Sequence, residues 1–138
     1  MSDIEVIKTN NYYKIPSGKD SPEVIFNWKD KTLKIEGLSL MADAYSFYGS
    51  LRTLLLDLFD RFHIDKLQVF IHYYYVNTHS LKHIVSFLST LEKFGKNCKI
   101  YWYYSDEEIN ELGQNLNELI DIDFEFIYKP SDKNLFEL

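Results

Sequence analysis

Two short β-prone runs, Val24-Ile25-Phe26-Asn27-Trp28 and Leu33-Lys34-Ile35-Glu36-Gly37, flank the polar segment Lys29-Asp30-Lys31. That arrangement predicts a β-hairpin. From Ala42 to Phe62 the pattern changes, with Ala44, Phe47, Leu51, Leu55, Leu58 and Phe62 recurring at three- and four-residue steps. This is the period of an amphipathic helix. Gly49 interrupts it and weakens it by about 1 kcal/mol relative to Ala, so a bend or a close contact is expected there.

Lys66 to Val76 is nearly continuous in apolar and aromatic residues, from Leu67, Val69, Phe70 and Ile71 to Tyr73-Tyr74-Tyr75. Such a run predicts a central strand covered on both faces. The polar quartet Asn77-Thr78-His79-Ser80 then reads as a loop. Helical spacing resumes at Leu81, Ile84, Val85, Leu88 and Leu91, and Gly95 is placed to stop it. Ile100 to Tyr104 predicts another strand. Ser105 with Glu108 has the form of an S-x-x-E capping box before a third helix marked by Ile109, Leu112, Leu116 and Leu119. Phe124, Phe126 and Tyr128 close the pattern with a last strand.

The predicted order is β-β-α-β-α-β-α-β. Because strand-helix-strand crossovers are right-handed, the last four strands should be mostly parallel, with helices covering one mixed sheet. The chain of 138 residues fits one α/β domain, with a core over about residues 12–128 and a tail from 129 to 138 that is loose or packed locally. In such sheets the loops at the carboxyl ends of strands carry function more often than others do. Three qualify: Leu38 to Met41, Asn77 to Ser80, and Ser105 to Glu107.

Composition narrows the partners. Fifteen basic against 21 acidic residues give a net charge of −6, which opposes nucleic-acid phosphates and the anionic inner leaflet of a membrane. The start, Met1 to Lys8, carries Asp3 and Glu5 where an export signal has a basic and then an apolar stretch, so a cytoplasmic protein is expected. Aromatic residues reach 17%, and without interleaved basic residues, core and edge packing explains them better than base stacking. Cys98 is the only cysteine; it reads as a buried structural thiol.

Motifs for phosphate loops, nucleophile elbows, zinc proteases and dinucleotide binding are absent. His79 and His83, spaced i, i+4, have the spacing of two zinc ligands but no third ligand beside them. Asp106, Glu107 and Glu108 suit the positive end of a helix dipole better than an acid–base site. No cofactor is implied. What remains is Asn77-Thr78-His79-Ser80, which from the residues alone is either a helix cap or a modification site.

The segment Asn77-Thr78-His79-Ser80-Leu81-Lys82 after a Tyr-rich strand resembles the N-T-S-S-x-K segment of the SiaC family of regulatory phosphoproteins. Further pieces follow in the family's order: Ser21-Pro22-Glu23-Val24 with Phe26, Leu33 to Gly37, Ser39 with Ala44 and Phe47-Tyr48, and Trp102-Tyr103-Tyr104 followed by Gly113. Together they span roughly Tyr12 to Phe126. The resemblance implies a STAS-like, anti-anti-sigma-like fold in which Thr78 is phosphorylated by a dedicated Ser/Thr kinase and released by a PP2C-type phosphatase. It also implies a partner-binding loop of Asn77, Thr78, His79, Ser80 and Lys82, and a target such as a diguanylate cyclase that is bound and activated by the unphosphorylated form. Departures fall at Met41-Ala42-Asp43-Ala44, at Ser50 and at His79, where the family has Pro-Glu-Asn-Ala, Pro and Ser; the acidic loop after Tyr104 is also shorter.

Physical chemistry supports a switch there. A phosphate adds about −1.5 to −2 charge at pH 7 beside helix N-terminal amides, where an anion gains about 0.3 to 2 kcal/mol. A partner packed over the same surface would instead bury a poorly matched charge at a cost of several kcal/mol, and ~2.8 kcal/mol already means ~100-fold in affinity. Two other functions stay open at this level: a STAS-type antagonist that sequesters an inhibitory protein, and a small metal protein or enzyme using His79 and His83.

Overall fold

Burial alternates with a period of two along the hairpin, and that alternation builds the sheet. The computed structural model describes residues 4–130, which places residues 131–138 of the predicted tail outside the described part. Val24 and Phe26 of β3 (Glu23–Asn27) point inward with Leu33, Ile35 and Ser39 of β4 (Thr32–Ser39). The connecting turn is held by Asn27 Oδ1, which accepts the Asp30 amide at 2.8 Å, and by Lys31 at φ 58°. Ahead of this predicted hairpin lie two strands that the sequence pattern did not announce, β1 (Ile7–Lys8) and β2 (Tyr12–Ile15). β2 pairs antiparallel with β3, so the hairpin is an internal part of the sheet.

Then come α1 (Ala44–Arg61), β5 (Leu67–Val76), α2 (Thr78–Ser89), a 3₁₀ segment (Thr90–Asn97), β6 (Cys98–Tyr104), α3 (Glu107–Leu119) and β7 (Asp123–Tyr128). Strands β4 to β7 are parallel, as expected from the crossovers. The seven strands follow one another across the sheet in chain order, β1 to β7. This order decides which face is covered. Right-handed crossovers that always step in the same direction leave every helix on the same side, because covering both faces requires the strand order to reverse.

Among the described residues the sheet is therefore covered on one face only, which corrects the expectation for β5. Leu67, Val69, Ile71 and Tyr73 are buried under helices, while Gln68 and Tyr74 on the other face are exposed. The near-continuous apolar run arises because the open face is itself aromatic. Phe70 stacks on Tyr101 at 4.8 Å, and His72 lies between Tyr74 and Tyr103.

Under the helices the core is one cluster. Phe59 of α1 meets Phe26 and Phe94, each at 5.3 Å, and Tyr48 meets Phe87 of α2 at 6.1 Å. Trp102 is fully buried beneath α3 and its Nε1 donates to the Ile109 carbonyl at 2.9 Å. Gly113 is what lets α3 descend onto that indole: a Cβ at this position would stand 2.3 Å from Trp102 Nε1. Gly95, at φ 55°, kinks the 3₁₀ segment two residues before its end, near where the sequence placed a stop, while α2 itself ends earlier at Ser89. Cys98 is buried, and burial pushes its thiol up to about 12, consistent with an inert core position.

Candidate functional site

The first helical residue of α2 is Thr78, and Asn77 caps it, its Oδ1 accepting the Ser80 amide at 2.9 Å. The polar quartet is thus not a loop. Asn, Thr, His and Ser each fit a first turn poorly enough in sequence to look like a linker, yet one good cap is sufficient to start a helix there. The capping oxygen belongs to Asn77, so the Thr78 hydroxyl is released from that duty. Thr78 is exposed, and its side chain makes no hydrogen bond to the described residues.

Ser80 behaves oppositely. It is fully buried, which removes it from the surface expected for a partner-binding loop. Its hydroxyl donates to the Ser39 carbonyl at 3.1 Å and accepts from Ser39 Oγ at 2.8 Å. Asn77 N–H adds a third link, donating to the Ser39 carbonyl at 3.0 Å. With the Ser39 proton committed to Ser80, Ser39 Oγ accepts from Tyr48 OH at 2.7 Å, and Tyr48 in turn accepts from Tyr73 OH at 2.9 Å. Each hydroxyl donates once, and the chain ends on a backbone oxygen, so all of its protons are satisfied. Burial raises the Tyr48 phenol to about 12, against the pull of its bonds to Ser39 and Tyr73, and raises Tyr73 well above its ordinary value. Both stay neutral hydroxyls.

This chain ties the carboxyl end of β4, α1 and β5 to the first turn of α2. A bulge between Gly37 and Leu38 shifts the β4–β5 register so that Ser39 stands opposite Val76 on the covered face. Gly37, at φ 129°, supplies a backbone conformation that other residues rarely adopt. Ser39 and Tyr48 lie among the positions of the family resemblance, but nothing in the sequence joined them to Tyr73 and Ser80. The available signal was Ser39's place in the inward alternation after Leu33, Ile35 and Gly37.

Of the predicted surface, Thr78, His79 and Lys82 are exposed and Asn77 is half-buried. Lys82, four residues after Thr78, lies on the same side of the helix. His83 packs its ring edgewise on Tyr45 at 5.7 Å, and no group of three metal ligands occurs among the described residues. Among the departures from the family pattern, Met41 is buried, Ala42 and His79 are exposed, and Ser50 is intermediate.

The third predicted loop also differs. Asp106, not Ser105, caps α3, its Oδ1 accepting the Ile109 amide at 2.9 Å, with Glu107 and Glu108 in the first turn. The S-x-x-E spacing was off by one residue because Ser105 is engaged elsewhere: its Oγ lies 3.1 Å from His72 Nε2. His72 was not singled out in sequence. It is 9% exposed on the open face, and its Nδ1 is buried without a partner. Desolvation lowers its pKa below 6.5, opposed by Glu36 and assisted by Lys129 and Lys34. A histidine held neutral in the fold binds its proton more readily when unfolded, so this group lowers stability as pH falls through 6.5 towards the folded value. Thermal melts between pH 8 and pH 5 should therefore fall less steeply for His72→Gln than for the parent; superimposable curves would contradict the assignment.

The sequence profile described as SiaC family regulatory phosphoprotein matches residues 15–129. No curated protein matches the chain. In structure it is similar to a chain in the crystal structure of the diguanylate cyclase SiaD in complex with its activator SiaC from Pseudomonas aeruginosa, at 24% identity and a TM-score of 0.70, covering 84% of this chain and 98% of that chain. Apo-SiaC from the same organism gives 23% identity and a TM-score of 0.66 over the same shares. A further structure of SiaC of Pseudomonas aeruginosa gives 24% and 0.70, covering 86% and 98%. At these identities the structural likeness establishes the fold.

Proposed function

The chain belongs to the SiaC family of regulatory phosphoproteins, and we propose that it is a non-enzymatic, cytoplasmic partner-switching protein whose state is set at Thr78. The unphosphorylated form binds and modulates a signalling protein, a diguanylate cyclase by analogy with the complex of SiaC and SiaD. A Ser/Thr kinase adds phosphate to Thr78 and a PP2C-type phosphatase removes it. The chain is the regulator, and catalysis belongs to its partners. Among the described residues no helix is long and apolar enough to cross a membrane.

One observation carries this reading. Asn77 caps α2 while Thr78, the next residue, stands exposed with its hydroxyl uncommitted. The capping role and the threonine are thus separate, and a hydroxyl that does nothing for the fold is available for chemistry. Once modified, it would sit beside the first N–H groups of α2, which have no intrahelical acceptors, and one turn from Lys82. The fold would accept the phosphate, so the effect falls on binding.

Incubation with its cognate kinase and ATP should add a single phosphate that maps to Thr78 by intact-mass and peptide mass spectrometry. Modification at Ser80 instead, or none within residues 77–82, would contradict the proposal.

A further inference from the structure

The charge of α2 is out of character with the chain. Between Thr78 and Ser89 it carries His79, Lys82 and His83 and no acidic residue, in a protein of net charge −6. At 3.6 residues per turn, Thr78, Lys82, Ser86, His79 and His83 follow one another round one side of the helix. That side borders a furrow of about 180 Å³ between α1 and α2, lined by Tyr45, Gly49, Arg52, His83, Ser86 and Phe87. Arg52 and Lys82 are exposed, and neither has a carboxylate within 4 Å among the described residues. Asp43, at this end, caps α1 through the Ser46 amide and also faces His83.

The floor of the furrow is open as well. Gly49 sits in mid-helix, where a side chain would be favoured, yet among the described residues a Cβ built there meets no atom of another element within 4 Å. Its missing side chain therefore serves no contact with the described residues. Tyr45, 73% exposed, forms one wall as a large aromatic left in water. Two cations over an apolar floor between helices match an amphipathic helix with a carboxylate flank.

We infer that the α1–α2 furrow receives an acidic amphipathic helix of a protein partner, with its carboxylates over Arg52 and Lys82 and an apolar side chain over Gly49. The inference rests on the switch reading for Thr78 and deepens it. A phosphate on Thr78 competes for Lys82 and sets about two negative charges against the incoming carboxylates.

The test uses a stapled helical peptide presenting a leucine stripe flanked by glutamates, and a copy flanked by lysines, titrated at low salt into the isotopically labelled protein. The glutamate helix should shift amide signals within residues 45–52 and 78–87 and bind about tenfold or more tightly than the lysine helix. Gly49→Leu, which fills open space on a helix, should weaken it about tenfold without lowering the melting temperature, as should Arg52→Glu combined with Lys82→Glu. Shifts centred on Phe70 and Tyr101, equal binding of the lysine helix, or indifference to Gly49→Leu would overturn the inference. A purified diguanylate cyclase is run beside the peptides. If no form of the protein binds the cyclase while the glutamate helix seats in the furrow, the cyclase assignment falls and the surface stands. If the cyclase binds and these substitutions leave its affinity within about twofold, the surface falls and the assignment stands.

Discussion

Ser80→Asp is expected to cost the fold about 3 to 5 kcal/mol, whereas Thr78→Asp, two residues earlier, should change stability by less than about 0.5 kcal/mol. Ser80 is fully buried and both donates to and accepts from Ser39. A carboxylate only accepts, so it would face the Ser39 carbonyl as a second acceptor, buried, with no cation among its partners. The rest of the chain would suffer too, since Ser39 Oγ orients Tyr48 and through it Tyr73. Ser80→Ala removes the bonds without adding a charge and should cost about 1 to 3 kcal/mol. Thr78→Asp instead places a carboxylate in the exposed first turn, where the helix dipole favours it. Urea unfolding of the three variants measures the contrast; similar midpoints for Ser80→Asp and Thr78→Asp would mean that the first turn of α2 is not clamped as described.

That contrast also marks where sequence reading stopped. The helical stripe of α1 and the parallel order of β4 to β7 were legible because each depends on local periodicity or on crossover handedness. The strands β1 and β2 were not. They are short, and Tyr12 to Ile15 carries only one fully buried residue, so the alternation is faint. Coverage of the sheet was misjudged at β5 because strand order is a long-range property, and Phe70 and Tyr101 give the open face the composition of a core. At the site, Thr78 and Lys82 were identified through the family pattern and lie exposed on one side of α2. Ser80 was grouped with them as a polar neighbour, although helical geometry turns it about 200° from Thr78 and into the core. Ser105 misled in the same way: its bond to His72 spans 33 residues, which no local motif records.

Binding, in contrast to folding, should respond strongly at Thr78. Thr78→Ala keeps the surface uncharged and is expected to hold the target with the parent's affinity while being deaf to the kinase. Its stability should stay within about 0.5 kcal/mol of the parent's, since Asn77 and not Thr78 caps the helix. Thr78→Asp should weaken the target by about tenfold, less than phosphate does because one carboxylate carries half the charge and fewer acceptors. If the threonine were only a helix-starting residue, the two substitutions would leave binding alike.

On the proposed reading, phosphate on Thr78 governs association and not folding. The decisive experiment titrates one diguanylate cyclase with unmodified protein and with protein phosphorylated stoichiometrically on Thr78, both checked by thermal melts. Melting temperatures within a few degrees and an affinity about 100-fold lower for the phosphorylated form are expected. Equal affinities for the two forms, with the phosphate verified in place, would contradict that reading.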